Sequence, residues 1–264
     1  MKTDRQHARD YIETLSSSGR YHFSSEDART ALGVSAIAAK LALGRLARQK
    51  LIASPARGFY VVVPPEYRSL GCLPADQFIP ALMQRLGLRY YAGLLSAAQY
   101  HGAAHHRPQE FQVMLERAKR PIRCGQIRAA FIVRKNLKNV PTQRFNTPRG
   151  TIEVSTAEAT AVDLVGYHRH AGGFNQVATI LAELAERIDP QKLVEAAKTA
   201  PVPWAQRLGF LLEKVGSQKQ AALKEYVTNN AREAVELLPG AARREARRDA
   251  IWKVLVNAEV GAEI

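Results

Sequence analysis

The sequence predicts an α+β protein that opens with a winged helix-turn-helix domain and continues into a mixed α/β domain. Three observations predict this class: two short capped helices meet at a glycine, a hairpin pattern follows them, and the apolar spacing changes from helical to alternating near residue 111. At 264 residues the chain can bury two separate cores. We expect the winged helix-turn-helix over residues 1–70 and the mixed domain over residues 75–264.

The helix-turn-helix is predicted from caps and apolar spacing. A first helix covers residues 4–16, where apolar side chains recur at helical intervals. A second begins after Ser24, an N-cap with Asp27 at the third helical position. Gly33 ends that helix, and Ser35 caps the next. Two helices joined by a tight turn that contains glycine form a helix-turn-helix.

The third helix is predicted to turn small and basic side chains outward. A hairpin follows it, with "LIAS" and "FYVVV" as strands and "PARG" as the turn. Recognition helices contact base edges through their first residues, so small side chains there let the backbone approach the groove. We therefore predict that double-stranded DNA binds to a surface formed by Ser35, Ala36, Lys40, Arg45 and, at the hairpin tip, Arg57. The alternative is a small helical subdomain that only packs against the rest of the chain.

The rest of the chain is predicted to form a sheet followed by helices. Three prolines and a glycine in Pro64–Pro74 indicate the end of the first domain. We expect the sheet over about 110–155 and helices over about 156–230, the first of them starting with a capping box of Ser155 and Glu158. A closing strand over about 251–258 is expected to return to the central sheet.

The positive charge is concentrated in the first 150 residues. The net charge is +14, and residues 1–70 carry 11 Lys and Arg against 6 Asp and Glu. Residues 71–150 carry 13 against 3, whereas residues 151–264 carry 14 against 15. Such a concentration of one sign attracts polyanions and speeds their capture. Nucleic acid is the predicted partner, and an acidic protein is the alternative.

One stretch of the predicted sheet is unusually basic. Between residues 116 and 149 the only acid is Glu116. The bases there are Arg117, Lys119, Arg120, Arg123, Arg128, Arg134, Lys135, Lys138, Arg144 and Arg149. Because ten like charges on one sheet repel one another, we predict a second polyanion-binding surface, with a solvated face as the alternative.

The sequence indicates neither an enzyme nor a metal protein. It has no phosphate-binding glycine loop, no G-x-S-x-G elbow and no H-E-x-x-H motif, so no cofactor and no catalytic residue is predicted. The histidines of "HGAAHHR" and "HRH" lack a further ligand type, so no metal site is expected. Two cysteines outside any motif, no apolar leader and no apolar run of 18 residues predict a cytoplasmic protein that is not in a membrane.

Two longer motifs carry a resemblance to a known family. The segment "YYAGLLSAAQYHG" precedes the predicted sheet, and "EVSTAEATAVDLV" follows it; "WKVLVN" closes the chain. In this order they resemble the AbiEi family, the antitoxins of type IV toxin–antitoxin systems. The resemblance implies an N-terminal domain that represses its own operon by binding inverted repeats. It also implies a C-terminal region that counters a nucleotidyltransferase-type toxin without a stable complex, and it carries no catalytic residues.

Three classes of function remain open on the sequence alone. The first is an autoregulating antitoxin, and the second is a transcriptional regulator without a toxin. The third is an RNA-binding or interaction protein that uses the basic central sheet. A neighbouring toxin gene favours the first class, and binding to structured RNA in preference to duplex DNA favours the third.

Overall fold

The computed structural model describes residues 7–103, 108–242 and 246–261. Within these ranges runs of strands and runs of helices follow one another, which confirms the predicted α+β class. By internal contacts the chain divides into two compact units. The first unit comprises the described residues up to Tyr90, together with Gln109–Ile132 and Arg144–Ile152. The second unit comprises the remaining described residues.

The first unit begins with three helices and a small sheet. Their bounds, in chain order, are α1 (Ala8–Ser17), β1 (His22–Ser24), α2 (Ser25–Leu32), α3 (Ala36–Arg48), β2 (Ile52–Ala56) and β3 (Phe59–Val62). The three strands are antiparallel, with β3 between β1 and β2. Strand β1 was not predicted, because three residues between two helices are too short for a detectable alternation.

The predicted caps of α2 and α3 are confirmed. The Ser24 hydroxyl accepts from the Asp27 amide at 3.0 Å, and the Asp27 carboxylate accepts from the Ser24 amide at 2.8 Å. Gly33 ends α2 with a φ of +60°, and Ser35 caps α3.

Among the described residues no single helix is long and apolar enough to cross a membrane. Helices α2 and α3 reach that length only together, and the chain bends by 106° between them.

The hairpin after α3 differs from its prediction in one respect. Its turn contains only Arg57 and Gly58, because β2 continues through Pro55 to Ala56. A register shift between Ala53 and Ala56 accommodates the proline, which has no amide hydrogen to donate to a neighbouring strand. Gly58 has a φ of +70°, a conformation that suits glycine in a tight hairpin turn.

Strand β3 lies between two hydrophobic cores. Phe59, Val61 and Val63 face a core that contains α4 and the strands after it. Val62 faces the opposite way, into a core formed with α1, α2 and α3. Because successive side chains of a strand point to opposite faces, a strand buried on both faces needs a continuous apolar run. This requirement accounts for the unbroken "FYVVV".

The middle of the chain contains two of the described α-helices and six of the twelve described strands. The bounds are α4 (Ala75–Leu86), β4 (Tyr91–Ala92), α5 (Leu94–Tyr100), β5 (Phe111–Leu115), β6 (Ile122–Cys124), β7 (Ile127–Val133), β8 (Thr142–Thr147) and β9 (Gly150–Ser155). In the first unit β7 lies between β6 and β5. In the second unit β4 pairs in parallel with β9, so that Ala92 lies opposite Val154.

The proline-rich segment does not separate the compact units. Within Pro64–Pro74, both Cys72 and Leu73 are buried, and they belong to the core that β3 shares with α4. The first unit continues to Tyr90 because this core needs the apolar face of α4 to close it. By internal contacts the chain therefore divides at other positions than the predicted cut between residues 70 and 75.

The second unit is mainly helical. Its remaining elements are α6 (Ala157–Gly166), α7 (Phe174–Leu184), α8 (Pro190–Lys198), α9 (Val202–Lys214), α10 (Ala221–Asn230), β10 (Val235–Glu236), β11 (Arg247–Asp249) and β12 (Val254–Val256). The expected return of the last strand to the central sheet is wrong, since β12 lies between β10 and β11 in a separate three-stranded sheet. Trp252 precedes it, fully buried, with its ring where a Cβ on Gly209 of α9 would be.

The cap of α6 also differs from its prediction by one residue. Thr156 is the N-cap, and its hydroxyl accepts from the Ala159 amide. Ser155, the predicted cap, instead shares a 2.7 Å hydrogen bond with the hydroxyl of Thr160. The Glu158 carboxylate accepts from the Asp189 amide at the start of α8, so its partner is another helix and not a cap on its own. Ser155 and Glu158 have the spacing of a capping box, and the sequence does not show that the helix begins one residue later, after Thr156.

Arg134 was predicted to lie on the basic surface, and this is wrong. Its side chain is only 2% exposed, and its Nε donates to the Asp163 carboxylate at 2.8 Å. The Tyr91 hydroxyl donates to the same carboxylate at 2.6 Å, and Thr199 accepts from the far end of the guanidinium at 3.2 Å. The guanidinium carbon of Arg134 also lies 5.2 Å from the centre of the Trp204 ring. Burial disfavours the charge, but Asp163 outweighs it and raises the pKa of Arg134.

Replacing Arg134 by Met should destabilise the protein strongly. The variant leaves Asp163, which is 0% exposed, as a buried carboxylate without its cation. We expect the free energy of unfolding to fall by about 3–5 kcal/mol in urea titrations. The matched control is Lys135→Met, which removes the neighbouring exposed charge and should change stability by less than about 0.5 kcal/mol. Equal stability of the two variants would contradict a buried, fully paired Arg134.

Candidate nucleic-acid interface

The outward face of α3 combines basic and apolar side chains. Lys40 and Arg45 are exposed, and Ala36 at the start of the helix is exposed as well. Between them, Ile37 is 75% exposed and Leu41 is 58% exposed. The inward face consists of Ala39, Leu43 and Leu46, all buried. An isolated exposed apolar residue is ordinary, but two of them one helical turn apart make an apolar strip.

Sequence reasoning missed this apolar strip. Ile37 and Leu41 lie four residues apart, a spacing that puts both on one face of a helix. Leu43 and Leu46 lie on the buried face of α3 and account for its packing. Ile37 and Leu41 therefore had to lie on another face of the helix. The available signal was therefore a helix with apolar residues on more than one face.

The five predicted contact residues all lie in the first unit. The Ser35 hydroxyl is engaged as the N-cap, where it accepts from the Ala38 amide at 3.3 Å. Ala36, Lys40 and Arg45 follow on α3, and α3 packs against β2. Arg57 is exposed at the tip of the hairpin that continues from β2. Among the described residues no acidic side chain pairs with Lys40, Arg45 or Arg57.

The segment that contains α3 and the hairpin carries only one sign of charge. No Asp or Glu occurs between Asp27 and Glu66. The bases in the same segment are Arg29, Lys40, Arg45, Arg48, Lys50 and Arg57. Of these, Arg29 forms an ion pair with Glu26 on its own helix. The other five are exposed, so this side of the first unit has a positive potential without local compensation.

The structure divides the basic stretch into several groups. In the first unit Arg117, Arg120, Arg123 and Arg128 are exposed, on the β6–β7 hairpin and the loop before it. Arg123 lies directly opposite Arg128 across the two strands. Like charges in directly opposed positions destabilise a sheet, so this pair costs folding free energy. The β6–β7 hairpin is close to the β2–β3 hairpin, because β6 packs against β2.

The remaining bases of that stretch have other environments. Lys119 is half-buried with its ammonium 5.6 Å from the centre of the Phe131 ring. Arg149 lies 3.6 Å over the Tyr21 ring and donates to the Glu66 carboxylate at 3.0 Å. Three further bases, Lys135, Lys138 and Arg144, are exposed, the first two of them in the second unit. With Arg134 buried and Arg149 paired with Glu66, the ten bases have different environments.

The described residues offer no metal centre. No group of three or more His, Cys, Asp and Glu side chains in them is placed to hold an ion. His101 donates its Nε2 hydrogen to the Ser155 carbonyl oxygen at 2.7 Å, and burial lowers the pKa of His101 so that the ring is neutral. His168 stacks on the Phe174 ring at 4.2 Å. His105 and His106 of the same motif lie outside the described residues.

In the second unit, the two motifs that carry the family resemblance pack against each other. Helix α5 of the first motif contacts α6 of the second. The hydrogen bond of His101 to Ser155 joins the motifs at one end. The hydrogen bond of Tyr91 to Asp163 joins them at the other, and burial raises the pKa of Tyr91 so that it remains a hydroxyl donor. These residues form the polar interior of one packed domain.

Comparisons with known proteins find similar proteins for this chain. No curated protein matches the chain. The crystal structure of the RV2827C protein from Mycobacterium tuberculosis is similar in fold, with a TM-score of 0.67 and 16% sequence identity over 95% of this chain and 92% of that one. The family model described as "AbiEi antitoxin C-terminal domain" matches residues 91–214, from the start of β4 to the end of α9. Between residues 91 and 214 the chain is thus similar to the C-terminal domain of the AbiEi antitoxin family.

Proposed function

We propose that this protein is an autoregulating antitoxin of a type IV toxin–antitoxin system, and that α3 and the β2–β3 hairpin bind its operator as a winged helix-turn-helix. In this proposal residues 1–70 supply the contacts that read the operator sequence. The AbiEi domain supplies the activity against a toxin of nucleotidyltransferase type, and the protein has no catalytic function. The family match supports the antitoxin part, and the DNA part rests on the geometry of the first unit.

The observation that carries the DNA proposal is the outward face of α3. It has small residues at its start, bases along its length and no acid in the whole segment from residue 28 to residue 65. The bend of 106° between α2 and α3 falls in the range of helix-turn-helix pairs. In such a pair the second helix enters the major groove, and a basic hairpin tip next to it reaches the phosphates.

The operator surface is tested by the double variant Lys40→Ala/Arg57→Ala. Both side chains are exposed and support no packing, so the fold should persist. A hydrogen bond to a base edge is worth about 1–3 kcal/mol, whereas removing a phosphate-binding side chain weakens binding to all sequences alike. We expect affinity for the promoter fragment of the protein's own gene to fall at least about tenfold at physiological salt.

The matched control for this variant is Lys192→Ala/Lys224→Ala, which removes two exposed charges from the second unit. It should bind the fragment like the wild type. The Lys40→Ala/Arg57→Ala variant should still neutralise the toxin encoded beside it, because the AbiEi domain is unchanged. Unaltered promoter binding by the folded variant would exclude this surface, whereas failure to neutralise the toxin would argue against separate DNA and toxin functions.

The apolar strip gives the DNA proposal a second test. In the major groove the only apolar group on the edge of a nucleobase is the thymine methyl. This methyl suits contact with Ile37 and Leu41, the exposed apolar side chains of α3. A promoter fragment prepared with deoxyuridine in place of thymidine keeps the hydrogen-bonding groups and lacks the methyls. At about 0.8 kcal/mol for each buried methyl, two such methyls predict that the affinity falls roughly tenfold.

This difference should disappear in Ile37→Ala/Leu41→Ala, which cannot distinguish the two fragments. Equal binding of both fragments by the wild type would show that the apolar strip does not contact thymine methyl groups, while the proposal of DNA binding itself would remain.

The same binding experiments bear on the alternative functions. A stand-alone regulator would give the same binding results without a neighbouring toxin gene. Stronger binding to structured RNA than to either duplex would favour the RNA-binding alternative.

The exposed arginines near the wing should steepen the salt dependence of binding. Arg120, Arg123 and Arg128 are the bases of the central stretch that we propose as phosphate ligands. Each neutralised phosphate contributes about 0.9 to the slope of log affinity against log salt concentration. Replacing all three arginines by Ser should therefore flatten the slope by about 0.9 for each arginine that binds a phosphate in the wild-type complex.

Binding isotherms of the full-length protein at four salt concentrations measure this slope. The charge-matched control replaces Arg169, Lys192 and Lys224 of the second unit, all exposed, by Ser. If both triple variants show the wild-type slope, the basic hairpin is a solvated face and does not bind DNA. Arg134 has no place in this test, because it is buried in its ion pair.

A further inference from the structure

The two cysteines of the chain, 52 residues apart in sequence, are in contact in the first unit. Cys72 lies after the proline-rich segment and is 0% exposed. Cys124 ends β6 and is half-buried. Both thiols are free, Cys124 packs against the same hydrophobic cluster that contains Cys72, and the two side chains interact. Two free thiols that lie side by side can form a disulfide with only local movement of the chain, which neither thiol can do alone.

The backbone around the pair holds the two segments together. The Gln126 amide donates to the Leu70 carbonyl at 2.8 Å, and the Gln126 side chain donates to the Ser69 carbonyl at 3.2 Å. Between these residues, Gly125 approaches so closely that a Cβ on it would lie 2.1 Å from the Leu70 oxygen. Only glycine fits there, which fixes the register of the two segments and hence of the thiols.

The two thiols differ in chemistry. Cys124 accepts the hydrogen bond of Cys72 and another from the Ser54 amide of β2, and these bonds outweigh burial and lower the pKa of Cys124. The same hydrogen bond to Cys124, together with burial, raises the pKa of Cys72. Cys124 is therefore the more accessible sulfur and the one that loses its proton more readily, and Cys72 is its buried neighbour. Reactive cysteines have this combination of partial exposure and stabilised thiolate.

We propose that Cys72 and Cys124 form a peroxide-sensitive dithiol that closes to an intramolecular disulfide. The Cys124 thiolate attacks one oxygen of hydrogen peroxide, the O–O bond breaks, and a sulfenic acid and hydroxide form. The Cys72 sulfur then attacks the Cys124 sulfur and expels the hydroxyl group, which leaves as water with the Cys72 proton. The two thiols lose two electrons, and the peroxide gains them. The reaction takes place at the base of the wing, where Ser54 of β2 contacts the reacting sulfur.

The test uses the reduced full-length protein and hydrogen peroxide as the probe. Free thiols are counted after denaturation in acid, and peptides are mapped under non-reducing conditions. We expect the thiol count to fall from two to none, a mass loss of two hydrogen atoms, and a peptide in which Cys72 is joined to Cys124. The protein should remain a single chain on a non-reducing gel, and dithiothreitol should restore both thiols.

Two variants separate the roles of the sulfurs. In Cys72→Ala the sulfenic acid on Cys124 has no neighbour to resolve it, so dimedone should trap it. In Cys124→Ser the remaining Cys72 thiol should react with peroxide at least about tenfold more slowly, because it is buried and protonated. The thiol count of the wild-type protein tests the proposal even if a variant does not fold. Two thiols that persist in the native protein, or disulfides that join separate chains, would overturn the proposal.

Discussion

The structure of the first unit depends on the burial of both faces of β3. Phe59, Val61 and Val63 close one core and Val62 closes the other, so the strand cannot be separated from either side without exposing apolar surface. The helices before β3 and the helix and strands after it are therefore stabilised together. Consequently, the segment that reads as a linker is packed, and the compact unit does not end at residue 70.

This packing also determines where the charges can lie. With both faces of β3 apolar, the bases of α3, the hairpin tip and the β6–β7 hairpin remain at the surface. In the part of the chain that the structure describes, no acid forms an ion pair with these bases, and Arg123 and Arg128 lie opposite each other. A folded protein tolerates such an arrangement when a polyanion compensates it on binding, which is why the surface supports the proposed function.

In the second unit, Arg134 is the buried base among the described residues. Arg134 enters the interior because Asp163, Tyr91, Thr199 and Trp204 together satisfy its charge and its hydrogen bonds. Both motifs of the family resemblance contribute to this network, and all its members lie in the part of the chain that matches the AbiEi family model. Basic residues that are neighbours in the sequence thus have different environments, buried for Arg134 and exposed for Lys135.

Local signals in the sequence were sufficient for the elements but not for their surroundings. The caps at Ser24 and Ser35, the glycine turn and the α+β class follow from interactions within a few residues, and the structure confirms them. The burial of Arg134, the place of Arg149 on Tyr21 and the contact of Cys72 with Cys124 join residues far apart in sequence. Charge and periodicity alone do not identify such partners, because a base on a strand looks the same whether it meets water or a buried carboxylate. Only the tertiary structure decides this, since it determines which distant side chains provide the compensating charge, ring or thiol.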